Sequence, residues 1–130
     1  MVLTTDDILE IQKKLYEHGK SQALKKGKDY SGASKDTFRN IRISKHMGLV
    51  ETDAQACMVQ IMNKVSRMSN QSDPNHVTQV TDESVFDTVS DLWNYSSYWL
   101  LFMMEAMEDN SKPNRKKVGS YKGEEINAFK

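Results

Sequence analysis

The sequence predicts an all-α fold: a four-helix bundle-like domain over residues 1–108, followed by a mobile basic tail over residues 109–130. Three observations support this prediction. Apolar residues recur with the helical period in four segments, no segment alternates as a strand does, and only two residues are proline. Hydrophobic residues make up 38% of the 130 residues and charged residues 28%, which suits one domain with a modest core.

The first helix is predicted over residues 5–26. Thr4 and Asp7 have the spacing of a capping box, in which each satisfies a backbone N–H of the other. Gly27 is a residue type that commonly ends helices, so we place the end of the helix there. The glycine- and serine-containing segment 26–34 that follows is predicted to be a loop.

The second and third helices are predicted over residues 36–47 and 53–69. Phe38 and Ile41 are expected to face the core, and Gly48 to end the second helix. Thr52 and Gln55 form another capping-box pattern, which opens the third helix. The apolar positions of the third helix follow the helical period and comprise Ala54, Cys57, Met58, Ile61, Val65 and Met68.

The fourth helix is predicted over residues 81–108, with an apolar stripe expected to face the core. The stripe comprises Val85, Val89, Leu92, Trp93, Ser96, Leu100 and Met103. From Tyr98 to Met104 the helix is apolar all round, which indicates burial on every side, inside the bundle or across a subunit interface. We therefore expect a homo-oligomer, either a dimer or a tetramer.

The composition excludes several classes of function. Eighteen basic residues balance eighteen acidic residues, so no overall charge favours nucleic acid or a membrane surface. The single cysteine permits no internal disulfide, and the N-terminus lacks the pattern of a signal peptide. The longest apolar run, Tyr98 to Met104, is too short for a bilayer that requires about 20 residues. A cytoplasmic protein with no membrane partner is the resulting prediction.

Acidic residues recur one helical turn apart on the fourth helix. Glu83, Asp87, Asp91 and Asn94 fall within an arc of about 80° opposite the apolar stripe. Like charges at this spacing repel, whereas oxygen ligands on a rigid helix suit a hard cation such as Mg²⁺ or Mn²⁺. The alternative is a solvated polar face, or one that is paired with Lys or Arg of a neighbouring helix.

Two basic residues lie one turn apart on the third helix. Lys64 and Arg67 would bind phosphate in one interpretation and form ion pairs with the acidic residues in the other. The basic residues of the tail favour a solvated segment, and contact with nucleic acid is expected only through them. His18, His46 and His76 lie in separate segments, which argues against zinc, and Cys57 is expected to be a core residue.

Three motifs in this order resemble a phage and bacterial family, the nucleotide modification associated domain one family. Its late motif is similar to Asp82, Glu83, Ser84, Asp87, Thr88, Asp91, Leu92, Asn94 and Tyr95, in register and without gaps. Its early motif is similar to Asp29, Tyr30 and, after a short insertion, Phe38. Its middle motif is similar to Lys64, Arg67 and Met68, and the resemblance covers residues 5–107.

The resemblance implies a fold of the MazG and dimeric dUTPase type, usually oligomeric, and a nucleotide ligand. Enzymes of that type hold Mg²⁺ through carboxylates and cleave a nucleoside triphosphate to the monophosphate and pyrophosphate. Glu83, Asp87 and Asp91 would then be the catalytic metal ligands. The substrate would be bound by Asp29, Tyr30, Phe38, Lys64, Arg67, Asn94 and Tyr95. A phage-encoded chain would act in the host cytoplasm, in nucleotide metabolism or modification.

The third helix departs from the MazG-type pattern, which carries a second acidic cluster on an earlier helix. The third helix of this chain offers Gln55, Gln60 and Asn63 instead. The departure favours an alternative, a non-enzymatic binder that sequesters a nucleotide or nucleotide-like signal, or that contacts a host protein. A third possibility, a nucleic-acid-binding accessory protein, is based on the basic tail alone.

Overall fold

The computed structural model describes residues 1–31, 38–75, 84–108, 117–121 and 124–127. For residues 26–31, 117–121 and 125–127 the backbone alone is described. The described residues form four α-helices: α1 (Thr5–Ser31), α2 (Arg39–His46), α3 (Asp53–Ser72) and α4 (Val85–Glu108). The predicted all-α, four-helix class is confirmed. None of the described helices has the length and hydropathy needed to cross a membrane.

Both predicted capping boxes are formed. The Thr4 backbone N–H donates to Asp7 Oδ2 at 2.7 Å, and the Asp7 N–H donates to Thr4 Oγ1 at 3.3 Å. At the start of α3, the Gln55 N–H donates to Thr52 Oγ1 at 3.1 Å, and the Thr52 N–H donates to Gln55 Oε1 at 3.2 Å. Each box satisfies backbone groups that have no partner within the helix.

Gly48 terminates α2 as predicted, directly after the C-cap residue Met47, whereas Gly27 does not end α1. Gly48 has a φ of 74°, and the N–H groups of Gly48 and Leu49 donate to the carbonyls of Lys45 and Ser44, a Schellman motif. α1 instead continues through Gly27 to Ser31, so the loop predicted from residue 26 is wrong up to that point. A glycine inside a helix costs only about 1 kcal/mol, and basic residues stabilise a helix C-terminus.

The predicted tail contains two strands, so the expectation of a tail without strands is wrong. β1 (Lys117–Tyr121) pairs antiparallel with β2 (Glu124–Asn127). The register passes from Lys117↔Asn127 to Gly119↔Ile126, which leaves Val118 as an extra residue in β1. Strands this short give too little alternation to be recognised from the sequence pattern.

α3 and α4 form the most extensive contact between helices, with α1 packed on α4 and α2 on α3. α3 and α4 are antiparallel, because Lys64 meets Asp91 while Asp53, at the start of α3, shares an arginine partner with Glu105 near the end of α4. The core cluster of buried apolar residues consists of Ile41, Ala56, Cys57 and Phe102. The core positions predicted for Ile41 and Cys57 are thus confirmed.

Arg42 joins three helices. Its Nη1 donates to Asp53 Oδ2 at 2.8 Å and to Glu105 Oε1 at 2.7 Å, and its Nη2 donates to Glu105 Oε2 at 2.8 Å. Its guanidinium lies 5.0 Å from the centroid of the Phe102 ring. The fork geometry of arginine permits this two-point contact with one carboxylate, which fixes α2 against both α3 and α4.

The orientation of α4 is the opposite of the predicted one. The fully or nearly buried residues of α4 are Thr88, Ser90, Asn94 and Phe102, whereas Val85, Trp93 and Leu100 of the predicted core stripe are exposed. The helix therefore turns its polar side toward α1 and α3. Tyr98–Met104 is buried on one side only within this chain, because Leu100 and Leu101 are exposed.

A glycine permits the close contact between α1 and α4. Asn94 Nδ2 donates to the Gly19 carbonyl at 3.2 Å. A Cβ atom on Gly19 would lie 3.2 Å from Asn94 Oδ1 and 3.6 Å from Trp93 Cδ1. Gly19, which is unfavourable for an isolated helix, therefore leaves the space in which the Asn94 amide reaches the α1 backbone.

We expect Arg42→Ala to lower the free energy of unfolding by about 2 kcal/mol, because it leaves the partly buried carboxylates of Asp53 and Glu105 without this partner. Urea denaturation followed by helical circular dichroism measures the change. Arg39→Ala, an exposed position on the same helix, is the matched control and should change the value by less than about 0.5 kcal/mol. Equal effects of the two substitutions would contradict the central role of Arg42.

Candidate functional site

Lys64 of α3 and Asp91 of α4 form an ion pair between the two helices. Lys64 Nζ lies 3.0 Å from Asp91 Oδ2, and the two side chains are only 15% and 16% exposed. At this burial the two charges are desolvated, so each depends on the other for stabilisation. For this pair the ion-pair interpretation is the one observed, and the same contact places a cation beside the acidic side of α4.

Asp87 forms a third capping box, at the start of α4. The Ser84 N–H and hydroxyl donate to Asp87 Oδ2 at 3.2 and 2.7 Å, and the Asp87 N–H donates to Ser84 Oγ at 3.0 Å. The other carboxylate oxygen, Oδ1, lies 3.2 Å from His18 Nε2 of α1. Both oxygens of Asp87 thus have a partner, one within α4 and one on α1.

The contacts of Asp87 change its acidity. Hydrogen bonds from the Ser84 hydroxyl and backbone N–H lower the pKa of the Asp87 carboxyl, partial burial opposes them, and His18 adds to the decrease. The His18 ring also packs against Phe86, with 5.1 Å between ring centroids. Asp87 is therefore ionised at neutral pH and held in a fixed orientation.

Buried polar groups continue along the side of α4 that faces α1. Asn94 is bonded to the Gly19 carbonyl, and Ser90 lies between Asp87 and Asn94 on this side. Among the described residues, the buried polar atoms without a hydrogen-bond partner include Ser90 Oγ on this side of α4, Gln71 Oε1 near the end of α3 and Asp53 Oδ1 at the opposite end of α3. Unsatisfied buried polar atoms are uncommon in folded proteins and mark places where a ligand or water could supply the partner.

The structure brings together Asp87, Asp91 and Asn94 of α4 with Lys64 of α3. Arg67 is partly buried one turn beyond Lys64. Glu83 lies outside the described residues. Asp29 and Tyr30 lie in the last turn of α1 rather than in a loop, and their side chains are not among those described.

Two of the three predicted aromatic ligands, Phe38 and Tyr95, belong to a cluster of rings. Phe38 lies 5.1 Å from the Tyr98 ring centroid and 5.2 Å from that of Phe102. Tyr95, one turn after Asp91, lies 5.8 Å from Tyr98. The cluster begins near Asp91 and continues toward the core, and Tyr95 is the member of the cluster that lies nearest to Asp91 in sequence.

The donor chemistry of α4 fits a magnesium ion that is shared with a phosphate. Asp87 and Asp91 lie one turn apart on the same side of α4, each with a protein partner, and Mg²⁺ commonly uses one or two carboxylates together with substrate phosphates. Within residues 1–31, 38–75, 84–108, 117–121 and 124–127, no group of three or more His, Cys, Asp or Glu side chains is placed to hold a metal ion. A metal would therefore require phosphate or water oxygens in addition to the described ligands.

Sequence reasoning missed two partners of Asp87. Ser84 was recognisable, because Ser84 and Asp87 have the same spacing as the capping boxes of α1 and α3. His18 was not, because only the packing of α1 on α4 brings it to Asp87. The thiol of Cys57 is unreactive in the folded protein, because burial, with a smaller contribution from Asp53, raises its pKa to about 11.

No protein-family model, curated protein or solved structure matches this chain. The family resemblance described from the motifs therefore stays a prediction.

We expect Asp87→Asn to lower the free energy of unfolding at pH 7 by about 1 kcal/mol, because an amide replaces the charged capping group. The pKa of Asp87 is lower in the folded state, so its stabilisation is present at neutral pH and is lost as the pH falls through that lowered value. The difference between variant and wild type should therefore shrink below about pH 4.

Denaturation curves at pH 7 and pH 3 measure this dependence. Asp7→Asn is the matched control, since Asp7 has the same capping geometry but an exposed position at the start of α1. It should destabilise the protein less than Asp87→Asn, because the hydrogen bonds of Asp7 are to Thr4 next to it in sequence, whereas Asp87 also contacts His18 of α1. A difference for Asp87→Asn that is independent of pH would contradict the role assigned to its charge.

Proposed function

We propose that this chain is a Mg²⁺-dependent nucleotide-binding protein that acts as a nucleoside triphosphate pyrophosphohydrolase. The reaction consumes one water and converts the triphosphate to the monophosphate and pyrophosphate. The observation that supports the proposal most directly is the inward orientation of the polar side of α4, where Asp91 meets Lys64 and buried polar atoms lie nearby. A solvated polar face would point away from the bundle.

The small stabilisation expected from buried polar groups between α3 and α4 supports a functional interpretation of them. Buried ion pairs are often no more stabilising than apolar residues of similar size, and unsatisfied buried polar atoms are destabilising. The described core is also small, with Ile41, Ala56, Cys57 and Phe102 as its buried apolar residues. A ligand that pairs with these groups would offset the cost, which is how binding sites commonly differ from structural cores.

Residue roles follow from chemistry and position. Asp87 and Asp91, with Glu83, would hold the metal, which would polarise the phosphate and increase the acidity of a bound water. Lys64 would transfer its contact from Asp91 to a phosphate oxygen, and Arg67 would add a second cation. Asn94 and Tyr95 would position the substrate, with Asp29, Tyr30 and Phe38 shaping the base and sugar pocket.

A second candidate function is a non-enzymatic nucleotide binder. The observation that favours it is that Asp87 and Asp91 already have partners, Ser84 and His18 for the first and Lys64 for the second. In addition, Gln60 and Asn63 of α3 stand where MazG-type enzymes carry acids. Such a protein would sequester a nucleotide or nucleotide-like signal without cleaving it.

A panel of nucleoside triphosphates with Mg²⁺ or Mn²⁺, assayed for pyrophosphate release, distinguishes the two. We expect metal-dependent turnover that falls by at least about 100-fold in Asp87→Asn, because a carboxylate ligand is removed. Lys64→Met should weaken nucleotide binding, measured by calorimetry, because it removes a phosphate contact. Tight binding without turnover under either metal would support the binder instead.

Ser84→Ala separates the metal role of Asp87 from its capping role. This substitution removes the hydroxyl from the capping box and retains the carboxylate. It should lower stability and leave most of the turnover, whereas Asp87→Asn should lower both. Equal loss of turnover in the two variants would indicate that activity follows helix capping alone. A protein that neither binds nor cleaves any nucleotide would refute both candidates.

A further inference from the structure

We propose that the face of the α3–α4 pair that points away from α1 and α2 is the interface of a homodimer, in which a second copy of this chain covers it around a two-fold axis. This inference specifies the surface of the oligomer expected from the sequence. It does not depend on nucleotide binding, so the two proposals can fail separately.

Six of the exposed large apolar residues of α3 and α4 lie on one common face, whereas Val59 and Leu101 lie outside it. On a helical wheel of α3, with about 100° per residue and Lys64 at 0°, the exposed residues Met58, Met62 and Val65 lie at about +100° to +160°. Ala56, which packs with Ile41 of α2, lies at about −80°. On the corresponding wheel of α4, with Asp91 at 0°, the exposed residues Val85, Trp93 and Leu100 lie at about +120° to +200°. Asn94, which contacts α1, lies at about −60°. Because the helices are antiparallel, the same sense of rotation leads to the same side of the pair.

This face carries no charge along either helix. The charged residues of α4 between Val85 and Met104 are Asp87 and Asp91, and both contact neighbouring helices. Between Ala54 and Ser72, the charged residues of α3 are Lys64 and Arg67, which lie on the inner side and near it. A surface helix of a monomer normally carries charged residues on its outer side, so this face is not adapted to water.

The exposed area suits a dimer. Large side chains expose about 150–250 Å² each when free, so the six exposed residues alone leave on the order of 500 Å² of apolar surface. Monomers rarely expose a contiguous apolar patch of more than a few hundred Å². A stable interface buries about 800 Å² per partner, and partly buried neighbours on the same face extend it toward that size, namely Ile61, Val89, Leu92 and Met103.

The chemistry of the face favours a second copy over another partner. It has no charge with which to recognise a complementary charged surface. Two copies related by a two-fold axis would place the same neutral face on both sides, and a pair of antiparallel helices packed on its copy makes a closed bundle. Small residues, Ser66 and Ser96, stand between the large ones and allow the facing helices to interdigitate.

Size-exclusion chromatography with light scattering, on the full chain over a range of concentrations, tests the inference. We expect a mass near twice 14.9 kDa for the wild type. Met62→Glu on α3 and Leu100→Glu on α4 should each weaken association at least 100-fold, because every dimer would then bury two unpaired carboxylates. These side chains are 58% and 41% exposed, so the substitutions leave the interior of one chain unchanged.

Leu9→Glu is the matched control. Leu9 is 59% exposed on α1, outside the proposed interface, and its substitution should leave the dimer intact. If the interface variants fail to fold, the wild type still provides a test, since the melting temperature of a dimer rises with protein concentration and that of a monomer does not. A wild type that is monomeric at all concentrations, or a dimer that dissociates in Leu9→Glu but not in Leu100→Glu, would overturn the proposal.

Discussion

The packing of α1 and α3 against α4 depends on one constraint: α4 turns its charged and amide groups toward these neighbours. Each of these groups then needs a partner at a fixed distance. Lys64 of α3 forms an ion pair with Asp91, and His18 of α1 contacts Asp87. The Gly19 carbonyl of α1 accepts a hydrogen bond from Asn94. Hydrogen bonds and ion pairs are directional, so they define a single arrangement of α1, α3 and α4 more strictly than apolar contact alone would.

Asp87 combines structural and chemical roles at the start of α4. Its carboxylate completes a capping box with Ser84, contacts α1 through His18, and is the central residue of the proposed metal site. A ligand that engaged this carboxylate would therefore change the end of the helix and its contact with α1 together. Arg42 stands at the opposite end of the α3–α4 pair, where it secures the helices with no role in the site.

Local features of the fold could be predicted from the sequence, and long-range ones could not. Two helix starts are predicted by capping boxes, because such a box is complete within four residues. These boxes are Thr4 with Asp7 and Thr52 with Gln55. The face that α4 buries was predicted wrongly, because an uncharged apolar stripe normally marks the core side of a surface helix. The proposed contact with a second copy of the chain would account for this stripe. The pairing of His18 with Asp87 requires the packing of two distant helices, which no local pattern specifies.

The reactivity of Cys57 can report how often the helices of this protein separate. It is the single cysteine of the chain, fully enclosed in the core cluster beside α4. A thiol reagent can reach it only when α3 moves away from its neighbours, so the rate of labelling measures how often that separation occurs. Any molecule that holds α3 and α4 together will therefore lower the rate at which Cys57 is labelled, even if it does not contact Cys57.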